Sequence, residues 1–229
     1  MAHSSPSRSD PWADAVVHLN TADPQFGLLM ARVGPCLIRP RLCKDRFATL
    51  VRAIIGQQIS SKAAASIDAR LQELVGQPHA PEPLIAIGED GLRSVGLSGV
   101  KARYVLNLAE AVRTEAVPLD KIHKWDDDAI IARLTTVKGV GVWTAEMFLI
   151  FALGRPDVFP VGDLGVRAAL RDRFGLPDLP KPEAARTLAE AWRPFRSVAS
   201  WYLWRSLDPQ HKEPAIPVSS TDRKASAPR

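Results

Sequence analysis

Three short stretches bring together residue types that chemistry needs. The first is TTVKGVGVWTAEM, residues 135–147, where Gly139 and Gly141 lie between two stretches of helical pattern and Trp143 follows at once. Glycines permit positive φ and close backbone approach, and a helix that begins directly after them points its unpaired amides outward. Such a corner suits an anion, a backbone phosphate above all, with Lys138 and the helix dipole adding positive potential. Lys138, Gly139, Val140 and Gly141 are the candidate contacts; a plain helix–turn–helix corner is the alternative, because short glycine patterns are weak motifs. The second stretch is FPVGDLGV, where Asp163 stands twenty residues after Trp143 and can cap the helix that follows. Capping and catalysis are compatible here, since a helix N-terminus favours an ionised carboxylate and any reaction that builds positive charge needs one. The third is GQQISSK, residues 56–62. Ser60, Ser61 and Lys62 open a helix and can meet a phosphate there, while Gln57 and Gln58 read equally well as a solvated helix end.

The elements that must hold these residues are helical nearly throughout. Asp23-Pro24 reads as a cap and first-turn proline ahead of FGLLMARVG, which stops at Gly34. Asp45 can cap RFATLVRAIIGQQI, in which Phe47, Leu50, Val51, Ile54 and Ile55 recur at helical spacing. Ser60 can cap SKAAASIDARLQELV before Gly76, and VKARYVLNLAEAVRTE from Val100 is amphipathic. Acidic residues from Asp126 suit the positive end of DDAIIARLTTV. Residues 142–153 read as a largely apolar, buried helix; residues 182–207 as a long helical stretch that Pro194 bends or splits. No period-2 strand or hairpin signal occurs, so the fold class is all-α. GLSGVKARYV, residues 96–105, loosely repeats the turn-then-helix form of KGVGVWTAEM.

Bulk properties narrow the field. Of 229 residues, 46% are hydrophobic, which is enough for a real core and excludes wholesale disorder. The first ten residues and the tail after Pro209 are polar and rich in Pro, Ser and Lys, the composition of disordered ends. The apolar run near Met147–Leu153 is far too short to cross a bilayer, and the first residues lack an apolar signal core. The expected compartment is thus the cytoplasm, or the nucleus of a eukaryote. Cys36 and Cys43 are too few for a four-thiolate cluster, and His3, His18, His79, His123 and His211 show no metal-ligand spacing. No side-chain metal site is expected. Thirty Lys and Arg against 25 Asp and Glu give +5, a modest lean toward a polyanion partner. Arg193 and Arg196 flank the last helical stretch, where solvent exposure accounts for them as well as any contact.

LTTVKGVGVWTAEMFLIFALGRPDVFPVGDLGVRAAL closely resembles the helix-hairpin-helix and Gly/Pro…Asp segment of the helix-hairpin-helix DNA glycosylase superfamily, within it the DNA-3-methyladenine glycosylase II branch. The resemblance extends through VRAIIGQQISSKAA, GLSGVKARYVLNLAEAV and WRPFRSVASWYLW, in the family's order and over most of the chain from about Asp23 to Leu207. It implies two all-helical subdomains flanking a cleft: residues 46–155 as a six-helix unit with the hairpin, and residues 11–45 with 156–208 as the other. Residues 1–10 and 209–229 would be tails. The stretch before residue 46 is too short for the extra N-terminal β domain of larger bacterial relatives, so a compact form is expected.

The same resemblance assigns roles. Asp163 matches the essential aspartate of the cleft, and Trp143 stands where strand-cutting relatives carry a nucleophilic lysine. The implied activity is therefore that of a monofunctional glycosylase, acting as a monomer on double-stranded DNA with alkylated bases. It would release 3-methyladenine-type purines and leave an abasic site, in base excision repair. Trp143 and Trp204 match pocket tryptophans that would receive a cationic base by stacking and cation–π attraction, although a core position is the ordinary reading of Trp143 taken alone. Of the neighbours Trp201 and Tyr202, at least one belongs to the core. Gln58, with Gln57 beside it, matches the residue that fills the gap left by a flipped base. A monovalent cation on hairpin carbonyls is common in the family; no cofactor is otherwise implied. Two alternatives stay open: a same-fold glycosylase for deaminated or oxidised bases, and a non-catalytic helical DNA-binding module.

Overall fold

The computed structural model describes residues 11–38, 45–77 and 79–208. The anticipated tails at 1–10 and 209–229, and Cys43, lie outside the described residues. Eleven α-helices and no strands occur among the described residues: α1 (Ala13–Ala22), α2 (Pro24–Val33), α3 (Arg46–Gly56), α4 (Ser61–Val75), α5 (Pro81–Ser94), α6 (Gly99–Arg113), α7 (Asp127–Leu134), α8 (Val142–Phe151), α9 (Leu164–Phe174), α10 (Pro182–Leu188) and α11 (Arg196–Ser206).

Their starts follow from capping chemistry. Asp23, Ser60, Ser98, Asp126 and Asp163 each accept a hydrogen bond from a first-turn amide, which satisfies a donor the helix itself leaves unpaired. Asp45 precedes α3 but makes no such bond. Gly34 and Gly76 take φ near +85°, which ends α2 and α4 where the sequence marks them. Two helices carry no clear signal in the sequence. One is α1; the other is α5, which bends at Gly88 (φ 63°) and whose apolar positions are diluted by Gly, Glu and Asp. The stretch at 182–207 does not run through: α10, a 3₁₀ turn at Glu190–Trp192 and α11 replace it, with the break at Pro194.

Helices α3 to α8 pack mainly on one another, with α5 on α6 and α3 on α8 as the broadest contacts; α2 and α9 both pack on α11, and α1 on α2. One continuous core joins the two groups. α8 is buried from Thr144 to Ile150, and α11 from Arg196 to Leu203. Trp201 and Tyr202 are both buried, so both belong to the core; the Tyr202 hydroxyl donates to Gly34 O at 3.0 Å.

The loop between α8 and α9, which delivers Asp163, is tied down from α11. Ser197 N donates to Pro156 O at 2.9 Å, and Val158 N donates to Ser197 Oγ at 2.9 Å. Arg196 clasps the Asp157 carboxylate, Nε to Oδ1 at 2.7 Å and Nη2 to Oδ2 at 3.0 Å. Solvent exposure therefore does not account for Arg196: it is 9% exposed, and a buried guanidinium needs this bidentate partner. Arg193 is half-exposed and adds a single contact to Asp157 at 3.1 Å. Replacing Asp157 by Ala removes the bidentate partner of Arg196, leaves it Glu190 at 3.5 Å, and is expected to cost about 2–4 kcal/mol, whereas Arg193→Ala is expected to cost under about 1 kcal/mol. Urea denaturation of both variants measures the difference.

Candidate active site

Asp163 is the last residue before α9 and is buried. Its Oδ1 accepts from Val166 N at 2.7 Å, the capping bond, and from Trp204 Nε1 at 2.9 Å. Its Oδ2 accepts from Trp143 Nε1 at 2.6 Å. Donors from α8, α9 and α11 thus converge on one carboxylate. An ionised carboxylate offers about four lone-pair sites and no donor, so three N–H groups match it and leave acceptor capacity over. Capping and site placement coincide in this residue. Gly165 makes room for the arrangement: a Cβ there would lie 3.1 Å from Asp163 Oδ1 and 3.2 Å from Trp204 Cδ1.

The carboxylate opens on a cleft of about 640 Å³, whose walls include Trp143, Trp204, Ile55, Ile59, Arg52 and Asp68. Trp204 also stacks on Phe151, with centroids 5.8 Å apart. Across the cleft, Asp68 binds His79 Nε2 at 2.7 Å, Arg52 Nε at 3.2 Å and Gln72 Nε2 at 2.6 Å. Burial pushes the Asp68 carboxyl up, but His79 and Arg52 outweigh it and hold the group below its ordinary range. Asp163, Trp143 and Trp204, far apart in sequence, are therefore brought to one place.

The hairpin joins α7 to α8. Gly139 has φ +105°, and a Cβ there would collide with the Tyr104 ring, so this position requires glycine on both counts. Gly141 differs from expectation: its φ is −89°, and a Cβ would meet nothing within 4 Å. Neither backbone geometry nor crowding therefore requires glycine at this position, which is the N-cap of α8. Lys138 is exposed. Val140 is buried, and its amide donates within the turn to Val137 O at 2.9 Å.

The α3–α4 loop separates its two glutamines. Gln57 Nε2 donates to Gly139 O and to Thr144 Oγ1, each at 3.1 Å, so its side chain is committed to the hairpin. Gln58 is exposed at the tip with φ +57°, a conformation that costs a non-glycine residue energy. Ser60 uses its hydroxyl to cap α4, accepting from Ala63 N at 3.2 Å, and Lys62 is exposed beside it.

One titratable residue escaped the sequence reading. Glu146, one turn beyond Trp143, is 9% exposed, and its pKa is pushed up to about 7. Burial is the main cause, the Asp163 charge adds to it, and Arg186 opposes. A lone carboxylate in the apolar run of α8 was the available signal. Between its ordinary 4.5 and about 7, the folded protein holds a proton that the unfolded chain has released. Stability should therefore fall as pH rises through that window and level off above it. Glu146→Gln should flatten most of this fall, worth on the order of 3 kcal/mol between pH 5 and 8; denaturant titrations across that range measure it.

Residues 51–194 match the HhH-GPD superfamily, base excision DNA repair protein. The chain belongs to this superfamily. It is 34% identical over 198 residues to DNA-3-methyladenine glycosylase 1 of Schizosaccharomyces pombe, covering 84% of this chain and 86% of the relative. It is also 31% identical to DNA-3-methyladenine glycosylase 2 of Escherichia coli, over 71% of this chain and 58% of that one. Among solved structures, the S. pombe 3-methyladenine DNA glycosylase Mag1 in complex with abasic DNA superposes with a TM-score of 0.81 at 32% identity, covering 88% of this chain and all of that one. No described helix is long and apolar enough to cross a membrane.

Proposed function

We propose that this chain is a monofunctional DNA glycosylase that flips alkylated purines of the 3-methyladenine type out of double-stranded DNA and hydrolyses them off, leaving an abasic site in base excision repair. The observation that carries this reading is the Asp163 carboxylate, held in a cleft by the indole N–H groups of Trp143 and Trp204. Cleaving a purine–deoxyribose bond builds an oxocarbenium-like sugar, and a fixed anion beneath it stabilises that state more than the ground state. Asp163 retains acceptor capacity for this and for orienting the attacking water. Glycosidases ordinarily add a second carboxyl to protonate the leaving group. A base alkylated at N3 already carries positive charge and leaves without that help, so one carboxylate suffices. The tryptophan faces favour the same cation.

Trp143 occupies the position where a lyase would need an amine nucleophile, so the strand stays whole. Gln58 fills the gap left in the stack. The hairpin at Lys138, Gly139, Val140 and Gly141, together with the α4 start at Ser60 and Lys62, holds the phosphates on either side. Val137 O, Lys138 O and Gly139 O already accept protein donors. A monovalent cation would use their second lone pairs and would add positive charge beneath the phosphate. The two helix groups, 46–155 and 11–45 with 156–208, act as the subdomains that flank the cleft. The protein works as a monomer wherever the cell keeps its DNA: in the cytoplasm with the nucleoid of a bacterium, in the nucleus of a eukaryote.

Asp163→Asn should lower base release from methylated duplex DNA at least about 100-fold, the scale of losing one transition-state electrostatic contact, with fold and DNA binding kept. Near-normal turnover would end the assignment, and binding without any release by the wild type would mark a non-catalytic module. A covalent adduct trapped by borohydride would contradict the monofunctional reading. A panel of lesion duplexes tests the substrate class; release of 8-oxoguanine, uracil or hypoxanthine in place of 3-methyladenine would transfer the assignment to another lesion.

A further inference from the structure

The segment GLSGVKARYV, which echoes the hairpin, becomes the start of α6, and the roles assigned above leave it without a task. Three residues of α6 at helical spacing, Lys101, Tyr104 and Asn107, lie along one side of the helix, and each touches the backbone of the α3–α4 region or of the hairpin. Lys101 Nζ donates to Ile55 O at 2.7 Å and to Gln57 O at 2.5 Å, the last carbonyls of α3 and the first of its loop. Tyr104 packs against Gly139 so closely that no Cβ would fit between them. Asn107 Nδ2 donates to Lys138 O at 3.2 Å. Gln57 completes the circuit by bonding Gly139 O and Thr144 Oγ1.

The loop needs this support. Its own backbone bonds are long: Gln57 N to Ile54 O at 3.3 Å and Ile59 N to Gly56 O at 3.5 Å. Its tip residue, Gln58, sits at φ +57°, which unsupported backbone would relax. An ammonium at the C-terminus of α3 is well placed for that purpose, since it satisfies carbonyls the helix leaves unpaired and complements the negative end of the dipole. Partial burial pushes the Lys101 ammonium below the usual lysine range, consistent with a group drawn out of water onto those carbonyls.

We propose that Lys101 is a positioning residue. From α6, which also seats the hairpin through Tyr104 and Asn107, it holds the α3–α4 loop in register with the hairpin, so that Gln58 enters the stack while the hairpin grips the phosphate. The proposal rests on the reading of Gln58 as the gap-filling residue. A base in single-stranded DNA needs no extrusion from a duplex, so loss of this positioning should tell on duplex substrates alone.

The test compares full-length wild type with Lys101→Met, Lys101→Gln and Lys101→Arg. Single-turnover base release is measured from a methylated duplex and from the same strand unpaired, and amide hydrogen exchange is followed over residues 57–60. Lys101→Met and Lys101→Gln should lose about tenfold or more on the duplex, the scale of two charge-assisted bonds, and exchange faster in the loop. Release from the single strand should stay within about twofold, with α9 exchange unchanged, and Lys101→Arg should recover most of the duplex rate. Equal losses on both substrates, or an unchanged duplex rate in whichever of the two neutral variants folds, would overturn the proposal. Gln58→Ala judges the underlying reading separately: if it leaves duplex release intact, the gap-filling role falls, while the exchange data still decide whether Lys101 sets the loop.

Discussion

The arrangement of this protein turns on one buried carboxylate and the three N–H groups that hold it. Asp163 gains its backbone donor from the start of α9 and its two indole donors from α8 and α11. A buried anion costs several kcal/mol unless its acceptors are met, so helices from three regions of the chain must dock correctly before it is tolerated. The same docking leaves the carboxylate at the edge of an aromatic cleft. Stability of the site and its chemistry are therefore one requirement. The Arg196–Asp157 clasp and the Ser197 bonds serve that requirement from a distance, because they fix the loop that brings Asp163 in.

A second constraint couples the surface that would meet DNA. Gln57, Lys101, Tyr104 and Asn107 tie the α3–α4 loop and the hairpin together through short polar bonds and one close ring-to-glycine packing. These elements belong to α3, α6 and α8, which share the larger helix group. The loop tip and the hairpin are thereby mounted on common helices. Glu146 shows the opposite economy: a carboxylate kept partly protonated at neutral pH because it lies buried beside the Asp163 charge.

Local signals carried much of this. Caps at Asp23, Ser60 and Asp163, the acidic start at Asp126, stops at Gly34 and Gly76, and the apolar pattern of α3 depend on residues within a few positions of one another, so a reader of the chain meets them directly. α1 and α5 were not legible, since the apolar positions of α5 are diluted and Gly88 interrupts its period. The break at Pro194 was visible, but a 3₁₀ turn and a buried ion pair around it were not. For the candidate site, the family pattern pointed to Asp163, Trp143 and Trp204, and the structure brings these three side chains into contact.

What the sequence by itself determined is the set of helices, the glycine turn, the residue types that could do chemistry and the absence of an amine at position 143. Backbone capping and helical periodicity act over one or two turns, and local order records them. Only the tertiary structure decided that both indoles point their N–H groups at Asp163, that Gln57 is a strut while Gln58 is the exposed tip, and that Glu146 lies close enough to Asp163 to feel its charge. The bonds that fix the indoles and Gln57 join residues 20 to 87 positions apart. Burial and distance set their strength, and neither quantity exists until the helices have packed.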